Sequence, residues 1–235
     1  MGSPEPHSVT RRNLLLGAAG ALVMVGLGGA GRFAFGNTQL LRPPGSQGED
    51  HFQATCIRCN RCVSACPRSA LAVSGIEEGL VNVRTPKMAY RRGHYALSDA
   101  EGAVEPGQID YDLGMKRLTH AQGTGFCDFC GLCSKNCPTG ALNSFDSLTQ
   151  WIGLATVFQE FCIAFDKQGG CRKCVDYCPF GAITLDESLR PVVHPEMCNG
   201  CGVCENMCPS SSYRTFKGSD RRGINIEVMQ EGRPS

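Results

Sequence analysis

Sixteen cysteines fall into four short motifs whose spacing suits the binding of a polynuclear metal centre. The first motif, CIRCNRCVSACP at residues 56–67, separates its four cysteines by two, two and three residues and ends with Pro67. Thiols at every third position of a short loop converge on one concave side, whereas a thiol one helical turn further on points elsewhere. Such a motif can supply three thiolates to one 4Fe–4S cluster and a fourth to a neighbouring cluster.

The same pattern recurs three more times and accounts for every cysteine in the chain. The second and fourth motifs keep the two-two-three spacing, the third has eight residues in its first gap, and a proline follows each motif. The candidate ligands are Cys56, Cys59, Cys62, Cys66, Cys127, Cys130, Cys133, Cys137, Cys162, Cys171, Cys174, Cys178, Cys198, Cys201, Cys204 and Cys208.

Disulfide bonds and zinc are the competing interpretations of these cysteines. A disulfide scaffold does not need nearly the same spacing four times, and bonds between thiols this close would close strained loops. Zinc prefers paired Cys-x-x-Cys knuckles or mixed Cys and His ligands, but none of the five histidines lies within a motif. The spacing therefore predicts four 4Fe–4S clusters, each with a complete cysteine set.

The rest of the sequence carries no pattern for substrate chemistry. It contains no glycine-rich phosphate loop, flavin motif or catalytic constellation, so we expect an electron carrier and not an enzyme. The formal net charge of +1 gives no reason to expect a nucleic-acid partner.

Short apolar stretches after the motifs predict the fold. The segments CPRSALAV, CPTGALNS and CPFGAITL indicate a repeat of a cysteine loop, a short helix around the last two cysteines and a β-hairpin. We expect hairpins near 183–194 and, in a longer form, from 141–142 to 152–158. The predicted class is α+β, with two loop-rich, ferredoxin-like dicluster units over residues 37–214, an insertion at about 80–125, and a polar C-terminal tail over 215–235.

The first 36 residues have the features of an export signal. Arg11 and Arg12 precede an uncharged run from Leu14 to Gly31 that is rich in glycine and alanine. This pattern is typical of a twin-arginine signal, which exports proteins already folded around their cofactors, and a simple membrane anchor is the alternative. No Ala-x-Ala triplet follows the run, so the segment could remain as a tether of a periplasmic protein.

Taken together, these motifs resemble the ferredoxin-type electron-transfer proteins of the NapG/MauN group. The resemblance rests on the twin-arginine start, LLRPPG at 40–45, HFQATCIRCNRCVSACP, CDFCGLCSKNCPTGAL, the stretched third motif and CNGCGVCENMCP. It implies a membrane quinol dehydrogenase-like partner, a periplasmic oxidoreductase or cytochrome acceptor, and a nitrate-reductase-type pathway. A subunit of another membrane-associated complex, of hydrogenase, molybdopterin-enzyme or methylamine-utilisation type, is the alternative.

The pairing of the motifs is the last expectation. Sixty residues separate the first two motifs, which makes them poor partners, and the resemblance to other four-cluster subunits favours a nested arrangement of second with third and first with fourth. Sequential pairing is the rival. In the nested arrangement, Cys208 would join Cys56, Cys59 and Cys62.

Overall fold

The computed structural model describes residues 12, 15–20, 22–23, 39–90, 93–96, 105–108, 110–146, 150–166, 169–210 and 221–229. Its contacts divide the chain into Met1–Thr38 and Gln39–Ser235. In the first unit, the described residues are helical and exposed to solvent. No helix within the described ranges is long and apolar enough to cross a membrane.

Short helices carry the cysteine motifs of the second unit. In each of the four motifs a short helix holds the third cysteine and ends one or two residues before the fourth, so the predicted helix is present but the fourth cysteine lies just outside it. The helices in chain order are α1 (Glu49–Thr55), α2 (Arg61–Ala65), α3 (Tyr111–His120), α4 (Leu132–Lys135), α5 (Lys173–Asp176) and α6 (Val203–Met207), with 3₁₀ turns at Ile76–Glu78 and Ile163–Phe165.

The described strands pair into four two-stranded antiparallel sheets. The predicted hairpin between the third and fourth motifs is confirmed, and the first motif is followed by a hairpin of the same kind. The strands are β1 (Leu71–Val73) with β2 (Pro86–Met88), β3 (Tyr95–Ala96) with β4 (Gln122–Gly123), β5 (Leu154–Val157) with β8 (Ile224–Glu227), and β6 (Ile183–Leu185) with β7 (Pro191–Val193).

The structure contradicts two expectations, one about the partner of β5 and one about the C-terminal tail. Leu142 forms an isolated bridge with Ser46, and β5 pairs with β8 instead of with residues 141–142. Residues 224–227, assigned from the sequence to a polar tail, form β8 because the alternating Ile224 and Ile226 are buried against the core. The C-terminal strand β8 therefore pairs with β5 and packs against the core.

The predicted insertion is built into the same core. β2 lies within it, and Asp110 caps the N-terminus of α3, because its carboxylate accepts a hydrogen bond from the Leu113 N–H at 2.9 Å. Leu118 and Phe126 are fully buried. The segment between the first two motifs thus supplies packing and does not hold these motifs apart.

Candidate metal centres

Three of the cysteine loops share a backbone conformation that suits a negatively charged cluster. The residues on either side of the second cysteine have positive φ in the first motif (Arg58, Asn60), the second (Phe129, Gly131) and the fourth (Gly200, Gly202). Left-handed residues in such a loop turn successive N–H groups into a concave nest that binds anions. An oxidised 4Fe–4S core with four thiolates carries a charge of about −2, so the loop conformation matches this cofactor.

In the N-terminal half, the electrostatic neighbours of the thiols and the packing of α2 against α4 indicate that the first and second motifs exchange their last cysteines. Burial raises the pKa of Cys62 to about 12, and neighbouring thiolates of Cys133, Cys56 and Cys137 add to this effect. Burial likewise raises the pKa of Cys127 and of Cys130, and Cys66 adds to both. We call Cys56, Cys59, Cys62 and Cys137 the Cys56 set, and Cys127, Cys130, Cys133 and Cys66 the Cys127 set.

The third and fourth motifs make the same exchange in the C-terminal half. Burial raises the pKa of Cys174 to about 12, with contributions from Cys162, Cys208 and Cys171. Burial raises the pKa of Cys201 well above its ordinary value, with contributions from Cys178 and Cys198. We call Cys162, Cys171, Cys174 and Cys208 the Cys162 set, and Cys198, Cys201, Cys204 and Cys178 the Cys198 set.

Two cavities test whether these sets can enclose a cofactor. One cavity is lined by all four cysteines of the Cys198 set. A second cavity is lined by all four cysteines of the Cys162 set. Both are bounded by apolar residues and backbone, among them Ile183 and Ile226 in the first and Ile224 in the second. The convergent thiols and the apolar lining of these two sets therefore fit iron–sulfur clusters.

The nested pairing expected from the sequence is wrong, because the motifs pair sequentially. Helix α2 packs against α4, and α5 packs against α6. Arg68, just after the first motif, donates a hydrogen bond to Asp128 of the second at 2.7 Å, and its guanidinium lies 4.9 Å above the ring of Phe126. Cys137, and not Cys208, accompanies Cys56 and Cys62. The long segment between the first two motifs folds onto the unit, so its length does not prevent their pairing.

Hydrogen bonds to the fourth cysteine of the first, second and fourth motifs were not evident from the motif spacing. The Ala70 N–H donates to Cys66 Sγ at 3.4 Å, and Ser210 Oγ lies 3.2 Å from Cys208 Sγ. Burial alone would raise the pKa of Cys137, but hydrogen bonds from backbone groups and from Thr139 lower it below its ordinary value. The sequence signal for the hydroxyl groups is a Thr or Ser directly after the Cys-Pro pair.

The sixteen cysteines are all free of disulfide bonds. Within the described ranges, no three His, Cys, Asp or Glu side chains come together in a way that could hold one metal ion. In a cubane cluster each thiolate binds a different iron atom, so its ligands stand further apart than those of a single ion.

Basic residues close to the first motif make local contacts. Arg58 donates to the Val81 carbonyl at 2.9 Å, and Arg68 links the first two motifs as described above. Arg91 and Arg92, close to His94 in the sequence, lie outside the described residues, whereas His94 is exposed.

Comparison with known proteins agrees with this geometry. The 4Fe–4S dicluster domain family matches residues 55–141, which span the first two motifs, and residues 169–212, which span the fourth motif and most of the third. The chain belongs to this family. Each match contains neighbouring motifs, as sequential pairing requires.

Similar proteins place the chain among ferredoxin-type proteins. It is 32% identical to the ferredoxin-type protein NapG of Escherichia coli, over 88% of this chain and 84% of the relative. It is 31% identical to the methylamine utilization ferredoxin-type protein MauM of Paracoccus denitrificans, over 86% of this chain and 84% of the relative. The recognition as a NapG-type protein is confirmed, and the methylamine relatives are MauM proteins, where the sequence suggested MauN.

One solved structure also shows similarity. A formate dehydrogenase–heterodisulfide reductase–formylmethanofuran dehydrogenase complex from Methanospirillum hungatei is 28% identical, with 67% of this chain and 46% of the other chain covered and a TM-score of 0.22. This TM-score is too low to support any argument about the arrangement of the fold.

Proposed function

We propose that this protein transfers electrons through four 4Fe–4S clusters, one in each cysteine set. It passes them from a membrane quinol-oxidising partner to a periplasmic reductase. The observation that carries the proposal is the exchange of the fourth cysteine between neighbouring motifs, because it builds four complete sets of four thiols. The sixteen cysteines named above are the proposed ligands.

The chain's own groups prepare each set for a cluster. Nests in three of the four motifs supply backbone N–H groups that suit an anionic cluster, and apolar residues line the cavities of the C-terminal pair. N–H and hydroxyl donors at the fourth cysteines stabilise the anionic sulfur. Hydrogen bonding and solvent exposure are the factors by which a protein sets the potential of such a cluster. The clusters themselves supply one-electron storage with little change in geometry.

The electron balance needs no catalytic residue in this chain. A quinol oxidised by the partner yields a quinone, two protons and two electrons. The two electrons cross this protein singly and, at a nitrate-reducing acceptor, join two protons and nitrate to give nitrite and water. This assignment is supported by the similarity to NapG.

A methylamine-utilisation pathway is the second candidate. The observation that favours it is the 31% identity to MauM, nearly equal to that with NapG. The two candidates share the same cofactors and differ in the redox protein that exchanges electrons with this chain.

We further propose that the protein is periplasmic, is exported by the twin-arginine route, and could be tethered by an uncleaved signal. The support is the Arg11–Arg12 pair before an uncharged run in a protein that must fold around its cofactors before export.

The experiment uses the anaerobically purified full-length protein. After reduction with dithionite, it is mixed with the periplasmic nitrate reductase, or with the methylamine-utilisation redox proteins, of the same organism. We expect rapid reoxidation by the nitrate reductase, seen as recovery of the visible cluster absorbance. Reoxidation only by the methylamine components would establish the second candidate, and reoxidation by neither would contradict both.

A further inference from the structure

The two dicluster units touch through their cysteine loops. The N-terminal dicluster unit carries the first two motifs, and the C-terminal dicluster unit carries the last two. The Cys127 N–H donates a hydrogen bond to the Cys201 carbonyl at 2.9 Å, which joins one loop of each unit through the backbone. Close by, Asn206 of α6 donates to the Thr124 carbonyl at 2.9 Å. The loop of the Cys127 set thus lies directly against the loop of the Cys198 set.

Tyr90 fills the space beside this contact. It follows β2 in the N-terminal unit, only 2% of its surface is exposed, and its hydroxyl donates to the Gly200 carbonyl at 2.7 Å. Burial raises the pKa of Tyr90, and the thiolates of Cys127 and Cys201 raise it further, so both sets lie near the ring.

The C-terminal dicluster unit has a glycine, Gly202, at the position where it contacts the Tyr90 ring. A Cβ at Gly202 would lie 2.1 Å from Cδ1 of Tyr90, so no side chain fits between the loop and the ring. Gly131, at the same position of the second motif, has a similar positive φ but no neighbour within 4 Å. Two glycines with the same backbone requirement therefore differ in this one contact.

Burial indicates an internal position for one of the four sets. All four cysteines of the Cys198 set are buried, whereas Cys59 of the Cys56 set and Cys130 of the Cys127 set are exposed, and three cysteines of the Cys162 set are half-buried. A fully buried set has poor access to an external redox partner and suits an internal position.

We propose that Tyr90 and the Gly200–Gly202 loop form the junction through which electrons cross between the two units. Tyr90 is a positioning residue that holds the two loops together. The four sites then stand in the order Cys56 set, Cys127 set, Cys198 set, Cys162 set, and the first and last exchange electrons with partners. This inference rests on the proposed function.

The crossing moves one electron and nothing else. The site that donates is oxidised by one electron and the site that accepts is reduced by one, with no bond broken and no proton moved. Because tunnelling slows steeply with distance, separation of the two loops should slow the crossing while each unit keeps its own clusters.

The test compares the full-length holoprotein with Tyr90→Ala and Gly202→Ala, with Gly131→Ala as the matched control. Rapid-freeze EPR after reduction by less than one electron per chain follows how fast the electron redistributes between the units. We expect wild-type iron content throughout, severalfold slower redistribution in Tyr90→Ala and Gly202→Ala, and a wild-type rate in Gly131→Ala. Equal rates in all four iron-loaded proteins would overturn the junction.

If Tyr90→Ala or Gly202→Ala loads less iron than the wild type, a milder substitution provides the test. Tyr90→Phe keeps the ring over Gly202 and removes only the hydroxyl that binds the Gly200 carbonyl. A shift in the reduction potential of one or two clusters supports the junction, whereas an unchanged set of potentials overturns it. Failure of the proposed function would be distinct, because neither acceptor would then reoxidise the wild-type protein, although the electron would still redistribute between its two units.

Discussion

At the scale of single residues, neighbouring groups that the motif spacing does not reveal hold the cysteines in place and lie close to their sulfur atoms. Ser210 is an example: its hydroxyl lies 3.2 Å from Cys208 Sγ and also accepts a hydrogen bond from the Gly223 N–H at 2.6 Å. Gly223 in turn lies so close to Cys162 that a Cβ there would be 2.6 Å from the Cys162 Cα. The Ser210 hydroxyl thus lies beside Cys208 and binds Gly223, which packs against Cys162 of the same set.

Ser210→Ala should therefore destabilise the Cys162 set. The buried Gly223 N–H would lose its acceptor, which costs about 1–3 kcal/mol, and the thiolate of Cys208 would lose a polar neighbour. We expect a lower midpoint of denaturant unfolding and a changed reduction potential for one cluster. Thr139→Ala is the control, because the Thr139 hydroxyl is 3.8 Å from Cys137 Sγ and should matter less. Equal effects of the two substitutions would contradict this account.

A buried arginine network ties the LRPPG segment to the first hairpin. Arg42 is 8% exposed and donates to Glu49, to Asn82 at 2.7 Å and to Thr85 at 2.8 Å. Burial would raise the pKa of Glu49, but hydrogen bonds from Arg42 and Gln53 and the charge of Arg42 lower it below its ordinary value of 4.5. The network therefore depends on the ionised form of Glu49.

The pH dependence of stability tests this network through Glu49→Gln. A lowered pKa in the folded state stabilises the protein above the unfolded value, and the stabilisation is lost as pH falls through the folded pKa. We expect the wild type to exceed Glu49→Gln in unfolding midpoint at neutral pH, and the difference to shrink below the unfolded value of 4.5. Glu187→Gln, at an exposed position, is the control. A difference that stays constant or widens on acidification would refute the role of the charge.

At the scale of elements, the strand that closes the C-terminal unit comes from the end of the chain. β8 pairs with β5 and contacts α6, and the buried Glu205 carboxylate accepts a hydrogen bond from the Ile226 N–H at 2.8 Å. Ile226 lines the cavity of the Cys198 set and Ile224 that of the Cys162 set. The strand is thus part of the wall of both candidate sites.

Ile226→Ala should weaken the C-terminal unit and its cluster binding. Truncation of a buried isoleucine costs about 2–5 kcal/mol, and it would open the apolar wall beside the Cys198 set. We expect a lower unfolding midpoint and faster loss of cluster absorbance in air. Glu227→Ala, at the exposed end of the same strand, should behave as wild type. If both variants lose their clusters at the wild-type rate, β8 does not protect the sites.

The sequence was sufficient to predict features formed by residues close together in the chain, and insufficient to predict contacts between residues far apart in it. The cysteine spacing was sufficient to predict the loops, the short helices and the hairpin after Cys178, because each depends on residues a few positions apart. The partner of β5 and the pairing of the motifs depend on contacts across the chain, such as Arg68 with Asp128. The length of the segment between the first and second motifs led to the wrong pairing. Its buried residues fold this segment back onto the N-terminal dicluster unit.

At the scale of the whole molecule, export must follow folding if the clusters are loaded before the protein crosses the membrane. Replacement of Arg11 and Arg12 by Lys removes the twin-arginine pair and preserves the charge. We expect that variant to be folded, brown and retained in the cytoplasm, as measured by fractionation and cluster absorbance. Its arrival in the periplasm at the wild-type level would contradict the export proposal.

The central claim, four cysteine sets that each hold a 4Fe–4S cluster, is tested most directly by iron and acid-labile sulfide analysis of the anaerobically purified chain. Four such clusters require about sixteen iron atoms and about sixteen sulfides per chain. We predict these values for the wild type. A value near half of them, zinc in place of iron, or a protein without labile sulfide would contradict the account.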